Sequence, residues 1–94
     1  MKNLLLALFI ISLAFPVNSE EKNFFKEAKK LFEEEKYEDS KFLFQRNIVY
    51  NPKNSESYLY LAKIFNLEEN KIEEKKYINT TLLLQPKNEE AMYL

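Results

Sequence analysis

The chain has 94 residues and a formal net charge of −1, from 14 basic and 15 acidic side chains, and it lacks histidine, cysteine, glycine and tryptophan. With Asp39 as the sole aspartate, it cannot assemble the usual catalytic triads, thiolate centres, phosphate-cradling glycine loops or histidine-containing metal sites. Arg46 is the sole arginine and the lysines alternate with glutamates, so no basic stripe is available to neutralise a run of phosphates.

These exclusions point to a non-catalytic chain without a cofactor, a metal, a nucleic-acid ligand or a small-molecule substrate. The carboxylate clusters Glu33-Glu34-Glu35, Glu68-Glu69 and Glu73-Glu74 read as solvated helix ends, because acid–base work needs a cleft that raises one carboxyl pKa.

In chain order, Lys2 followed by the apolar run Leu4 to Phe15 and then Pro16-Val17-Asn18-Ser19 has the layout of a secretory signal, expected to be cut after Ser19. The run is shorter than the roughly 20 residues that cross a bilayer, which makes an uncleaved membrane anchor the weaker alternative. No cysteine follows it, so a lipidated anchor is excluded. Export across the cytoplasmic membrane, to a periplasmic or secreted location, follows as the expectation. Cleavage removes Lys2 alone among the charges, leaving 75 residues that packing must hold together without a disulfide.

Beyond the signal, Phe24, Ala28, Leu31 and Phe32 fall at spacings of three and four, and so do Tyr58, Leu61, Ala62 and Phe65. Both segments predict amphipathic helices. A second helical run follows each, over roughly Tyr37 to Tyr50 with Phe44, Ile48 and Val49, and roughly Ile72 to Leu84 with Ile78, Leu82 and Leu83.

Pro52-Lys53-Asn54 recurs 34 residues later as Pro86-Lys87-Asn88. Proline lacks an amide hydrogen and disfavours helix in its predecessor, which stops the second run of each pair at Asn51 and Gln85. Asn54 and Asn88 then stand ready to cap new helices, with Glu56, Glu89 and Glu90 favourable to the dipole. The breaks at Glu35-Lys36 and Glu69-Asn70 suit antiparallel helical hairpins. The chain thus divides into residues 1–19, a unit over 21–54, a second over 55–88, and the opening of a third over 89–94.

A 34-residue helix–turn–helix unit with a proline near its end resembles the tetratricopeptide repeat. The places where that family favours aromatic or small residues hold Phe24, Ala28, Leu31, Tyr37, Ser40, Phe44 and Asn47 in the first unit, and the place of its proline holds Pro52. The second unit holds Tyr58, Ala62 and Phe65, but then departs with Lys71, Glu74, Ile78 and Thr81. Glu74 is the worst misfit: either its carboxylate reaches solvent past a loosened helix crossing, or the helix shifts so that Ile72 plays the part of Tyr37. Glu35 and Glu69 stand where the family has glycine, and Asn70 is the candidate to take the left-handed turn in the second unit.

The resemblance implies an all-α solenoid of two antiparallel hairpins and a partial fifth helix, following the signal. It further implies an exported interaction module that binds a protein or peptide on a concave face. Lys22, Phe25, Lys29, Phe32 and Glu33 would line that face from the first unit, and Glu56, Leu59, Tyr60, Lys63 and Asn66 from the second. Phe25, Lys29, Phe32, Leu59, Tyr60, Lys63 and Asn66 are the protein-binding candidates among these. Phe25 and Leu59 either line an apolar groove or complete the hydrophobic face of a thin layer. Lys29 and Lys63, one unit apart, either meet an acidic segment or remain solvated.

A structural reading stands beside this one. Ile78, Leu82, Leu83 and Leu84 have no complete third unit to cover them, so the chain self-associates through that edge, docks on another protein's repeats, or belongs to a longer repeat protein. Asn79-Thr80-Thr81 matches a glycosylation acceptor but lies inside a predicted helix, and is read as coincidence.

Overall fold

The computed structural model describes residues 23–94. The signal segment and Lys22 lie outside the described residues. Five helices follow in order: α1 (Phe25–Glu33), α2 (Tyr37–Tyr50), α3 (Ser55–Leu67), α4 (Lys71–Leu84) and a short α5 (Glu89–Met92). There is no strand among the described residues. Each helix packs on its neighbours in sequence, so α3 lies between α2 and α4.

Local chemistry sets the boundaries. The helices α2 and α4 end one residue before Asn51-Pro52 and Gln85-Pro86. Asn54 and Asn88 each accept a hydrogen bond from a backbone amide three residues on, Ser57 N and Ala91 N, at 2.9 Å. Each proline-led stretch is thereby a stop and a start.

The breaks inside the two hairpins are the same motif. Lys36 N donates to Leu31 O at 2.9 Å and Glu35 N to Phe32 O at 3.0 Å, and Asn70 N and Glu69 N repeat the pair on Phe65 O and Asn66 O. Six-to-one and five-to-two bonds of this kind need a left-handed residue, and Glu35 (φ 61°) and Glu69 (φ 59°) supply it. Asn70 therefore does not take the left-handed turn. Its φ is −94°, and its side chain instead caps α4 by accepting from Glu73 N at 3.2 Å.

The core runs through both hairpins as Ala28, Phe44, Leu61, Ala62, Ile64, Phe65 and Tyr77. Ala28 and Ser40 mark the close crossing of α1 with α2, where Ser40 Oγ donates to Ala28 O at 2.7 Å. At the matching place in the second hairpin Glu74 is 5% exposed, and Ile72 is 81% exposed. Both expectations for Glu74 are thus overturned: its carboxylate stays inside, and Ile72 does not replace Tyr37. Val49 (73% exposed) and Leu83 (80%) also face outward rather than packing with their helices.

Candidate functional site

The candidate face is built from α1 and α3. Phe25 meets the Phe44 ring edge-on at 5.8 Å and the Tyr60 ring at 6.0 Å, while Phe32 meets Tyr37 at 5.3 Å and Tyr60 at 5.0 Å. Tyr60 itself stacks on Phe44 with ring centroids 4.9 Å apart. Edge-to-face and offset contacts of this type hold a ring cluster in one geometry. Phe25, Phe32 and Tyr60 therefore share one half-buried aromatic patch, which Tyr37 completes although it was not among the candidates. Its spacing from Phe32, across the hairpin turn, is the signal that could have added it.

The two lysines have different surroundings. Lys29 is exposed on α1. Lys63 Nζ lies 4.9 Å over the Tyr60 ring and pairs with Glu90 at 2.7 Å, so its carboxylate partner comes from α5 of the same chain. That intramolecular pair shows the chemistry the position favours: a carboxylate held beside an aromatic face.

Two candidates belong elsewhere. Leu59 is 4% exposed and is core, not groove, because α3 packs against both α2 and α4, whereas among the described helices α1, which carries its counterpart Phe25, packs chiefly on α2. Asn66 Nδ2 donates to Glu74 Oε2 at 2.8 Å, and Lys71 lies 3.5 Å from Glu74 Oε1. Asn66 is thus the partner of the buried carboxylate. The sequon is equally structural, since Thr81 is buried in α4 and donates to Tyr77 O at 2.8 Å.

A second cluster joins the hairpins on another face. Lys41 Nζ donates to both carboxylate oxygens of Glu68 at 3.0 and 2.8 Å, pairs with Glu38 at 3.2 Å, and lies 5.0 Å over the Phe65 ring. The Glu68 hydrogen bond, outweighing the opposing effect of burial, holds the Lys41 ammonium above its ordinary range, with Glu38 adding to it. Burial, reinforced by Tyr77, raises the Tyr58 phenol, whose hydroxyl donates to Pro52 O at 2.8 Å.

No group of three or more acidic side chains among the described residues is placed to hold a metal ion, and no described helix is long and apolar enough to cross a membrane. No protein-family model matches the chain, and neither a curated protein nor a solved structure matches it.

Proposed function

We propose that the chain is an exported, non-catalytic module of the tetratricopeptide type that binds a protein partner through the aromatic patch and lysines of α1 and α3. The observation that carries this reading is the recurrence of one hairpin at a 34-residue offset, down to the turn. Left-handed Glu35 and Glu69, helices Tyr37–Tyr50 and Lys71–Leu84, and caps Asn54 and Asn88 all fall at that spacing. Stacked helical hairpins present extended surfaces rather than enclosed pockets, which suits recognition of a polypeptide. Half-buried rings beside Lys29 supply apolar anchorage with a cation at its edge.

The test places a photo-crosslinking side chain at Lys29, and in a control at Gln45 on α2, in the full chain expressed in its exporting cell. A saturable adduct with one protein from Lys29 but not from Gln45 is expected. No adduct, or the same adducts from both positions, would count against the reading. Export is tested by the mature N-terminal residue, which is Glu20 if the signal is cut after Ser19 and Met1 if the segment is retained.

A further inference from the structure

We propose that the outward face of α2 and α4 lies on an anionic phospholipid bilayer, with Val49 and Leu83 entering its surface and Arg46, Lys53 and Lys87 meeting its phosphates. On α2 this face carries Phe42, Arg46 and Val49 at helical spacings of four and three, and Lys53 follows just past Pro52. At the places 34 residues on, α4 carries Lys76, Thr80 and Leu83, with Lys87 just past Pro86. Single exposed apolar residues are ordinary on a protein surface, but here a large one recurs at one place of the repeat. Val49 stays exposed although α1 and α3 both pack on its helix, so this place faces outward by the geometry of the hairpin.

The charges around Val49 and Leu83 have one sign. The chain holds 15 acidic against 14 basic side chains, yet none of the places just named is acidic. Arg46, Lys53 and Lys87 are exposed and form no ion pair among the described residues, while Lys76 has Glu73 at 3.6 Å. The Arg46 guanidinium lies 5.2 Å from the Phe24 ring and 5.8 Å from the Phe42 ring, and Phe24 meets Tyr50 at 5.9 Å. That cation is thus held among aromatic rings at the surface. Acidic side chains gather instead at the far end of the hairpins, around the Glu35 and Glu69 turns.

This chemistry selects a bilayer as the occupant. Val49 and Leu83 protrude, and a fluid acyl layer takes in a protruding side chain without the matching pocket that a protein surface would need. Exposed Tyr50 has the amphipathic ring favoured at headgroup depth, and the lysines reach phosphates while their stems stay in apolar surroundings. A second copy using the same face would set Arg46 and the lysines against their own kind, which disfavours pairing. The aromatic patch of α1 and α3 lies on other helices, so a protein partner and a bilayer can be held together.

The test uses the absence of cysteine, which makes any introduced thiol unique. The full chain carries Val49→Cys, Leu83→Cys or, on the other face, Lys29→Cys, each with a nitrobenzoxadiazole label. On vesicles of equal parts phosphatidylglycerol and phosphatidylcholine, the labels at Val49 and Leu83 should shift to the blue and become shielded from dithionite, while that at Lys29 stays in water. Vesicles of phosphatidylcholine alone should give little shift. Lys53→Glu combined with Lys87→Glu should weaken partition to the anionic vesicles by about twentyfold or more, since each cation near the surface contributes roughly fivefold. Circular dichroism confirms that these exposed substitutions leave helicity unchanged.

Labels that stay in water while the chain binds vesicles would assign the membrane contact to residues 1–19 and overturn the proposal. Equal shifts at Lys29, or partition indifferent to phosphatidylglycerol and to the two lysines, would overturn it as well. So would labels at Val49 and Leu83 that are shielded before vesicles are added, because a polypeptide would then cover the face. The proposal goes beyond the reading of a protein-binding module, and crosslinking at Lys29 tests that reading separately.

Discussion

Glu74 and Asn66, joined by a 2.8 Å hydrogen bond, occupy the places where the first hairpin has Ser40 and Phe32. Lys71, also beside Glu74, occupies the place of Tyr37, which packs edge-on against Phe32. Lys71 and Glu74, two of the second hairpin's departures, thus form one coupled exchange with Asn66, in which a ring pair over a small residue becomes an amide and an ammonium around a carboxylate. Asn66→Phe alone would bury Glu74 without its amide donor, and Glu74→Ser alone would strand the Asn66 amide. Each should cost about 1–3 kcal/mol. The triple variant Asn66→Phe, Lys71→Tyr, Glu74→Ser should cost less than the summed singles by about 0.5–3 kcal/mol, read from urea midpoints. Additive costs would show that the three positions are independent.

Asn47 ties the first hairpin to the second. Its Oδ1 accepts from Phe24 N and Asn51 Nδ2, both at 3.0 Å, and its Nδ2 donates to Ser57 Oγ at 2.9 Å. Thr81 stands at the matching place in α4 and donates to Tyr77 O of its own helix, and Ala91, which has no side-chain hydrogen-bonding group, stands at the place of Ser57. Asn47→Ala should therefore destabilise the chain by about 2–4 kcal/mol, since three hydrogen bonds from both hairpins, one of them buried, are lost at once. Thr81→Ala should cost about 1 kcal/mol, the value of one local bond. Thermal melts followed by circular dichroism separate these, and equal losses would deny Asn47 its joining role.

Left-handed backbone at Glu35 and Glu69 is a correctable cost. Replacing either by glycine removes the Cβ penalty and should stabilise the chain by about 0.5–1 kcal/mol each. Asn70→Gly should do the opposite, because it deletes the α4 cap while relieving nothing at φ −94°. Chemical denaturation of the three variants gives the order directly. Stabilisation by Asn70→Gly would move the turn to that residue.

What could be read from the sequence was whatever chemistry within a few residues decides. Pro52 and Pro86 remove a donor and fix the helix ends wherever the hairpins pack, and Asn54 and Asn88 cap because their oxygens reach an amide three residues on. The turn was harder. Asn70 tolerates left-handed geometry better than Glu69, but the Schellman bonds place that geometry one residue earlier and leave Asn70 free to cap. Harder still were Leu59 and Phe25, equivalent in sequence yet buried and half-exposed, since their difference lies in how many helices flank each. The burial of Glu74 was not legible because it depends on Asn66, a partner on the preceding helix that the repeat pattern places on the concave face.

Alkaline pH should unfold the chain through Lys41 and Tyr58. Both groups are raised above their ordinary values of 10.5 and 10.0, Lys41 chiefly by its bond to Glu68 and Tyr58 chiefly by burial. In the window between the unfolded and folded values the folded chain holds more protons than the unfolded one, so stability falls with rising pH there. The contribution is fully present below about pH 10 and is lost as pH climbs through the raised values. Deprotonated Tyr58 also loses the hydrogen it donates to Pro52 O. Urea midpoints should therefore decline above that pH, and the double variant Lys41→Met, Tyr58→Phe should be less stable at neutral pH but decline less steeply. An identical slope in the double variant would mean that these two protons are not held more tightly by the fold.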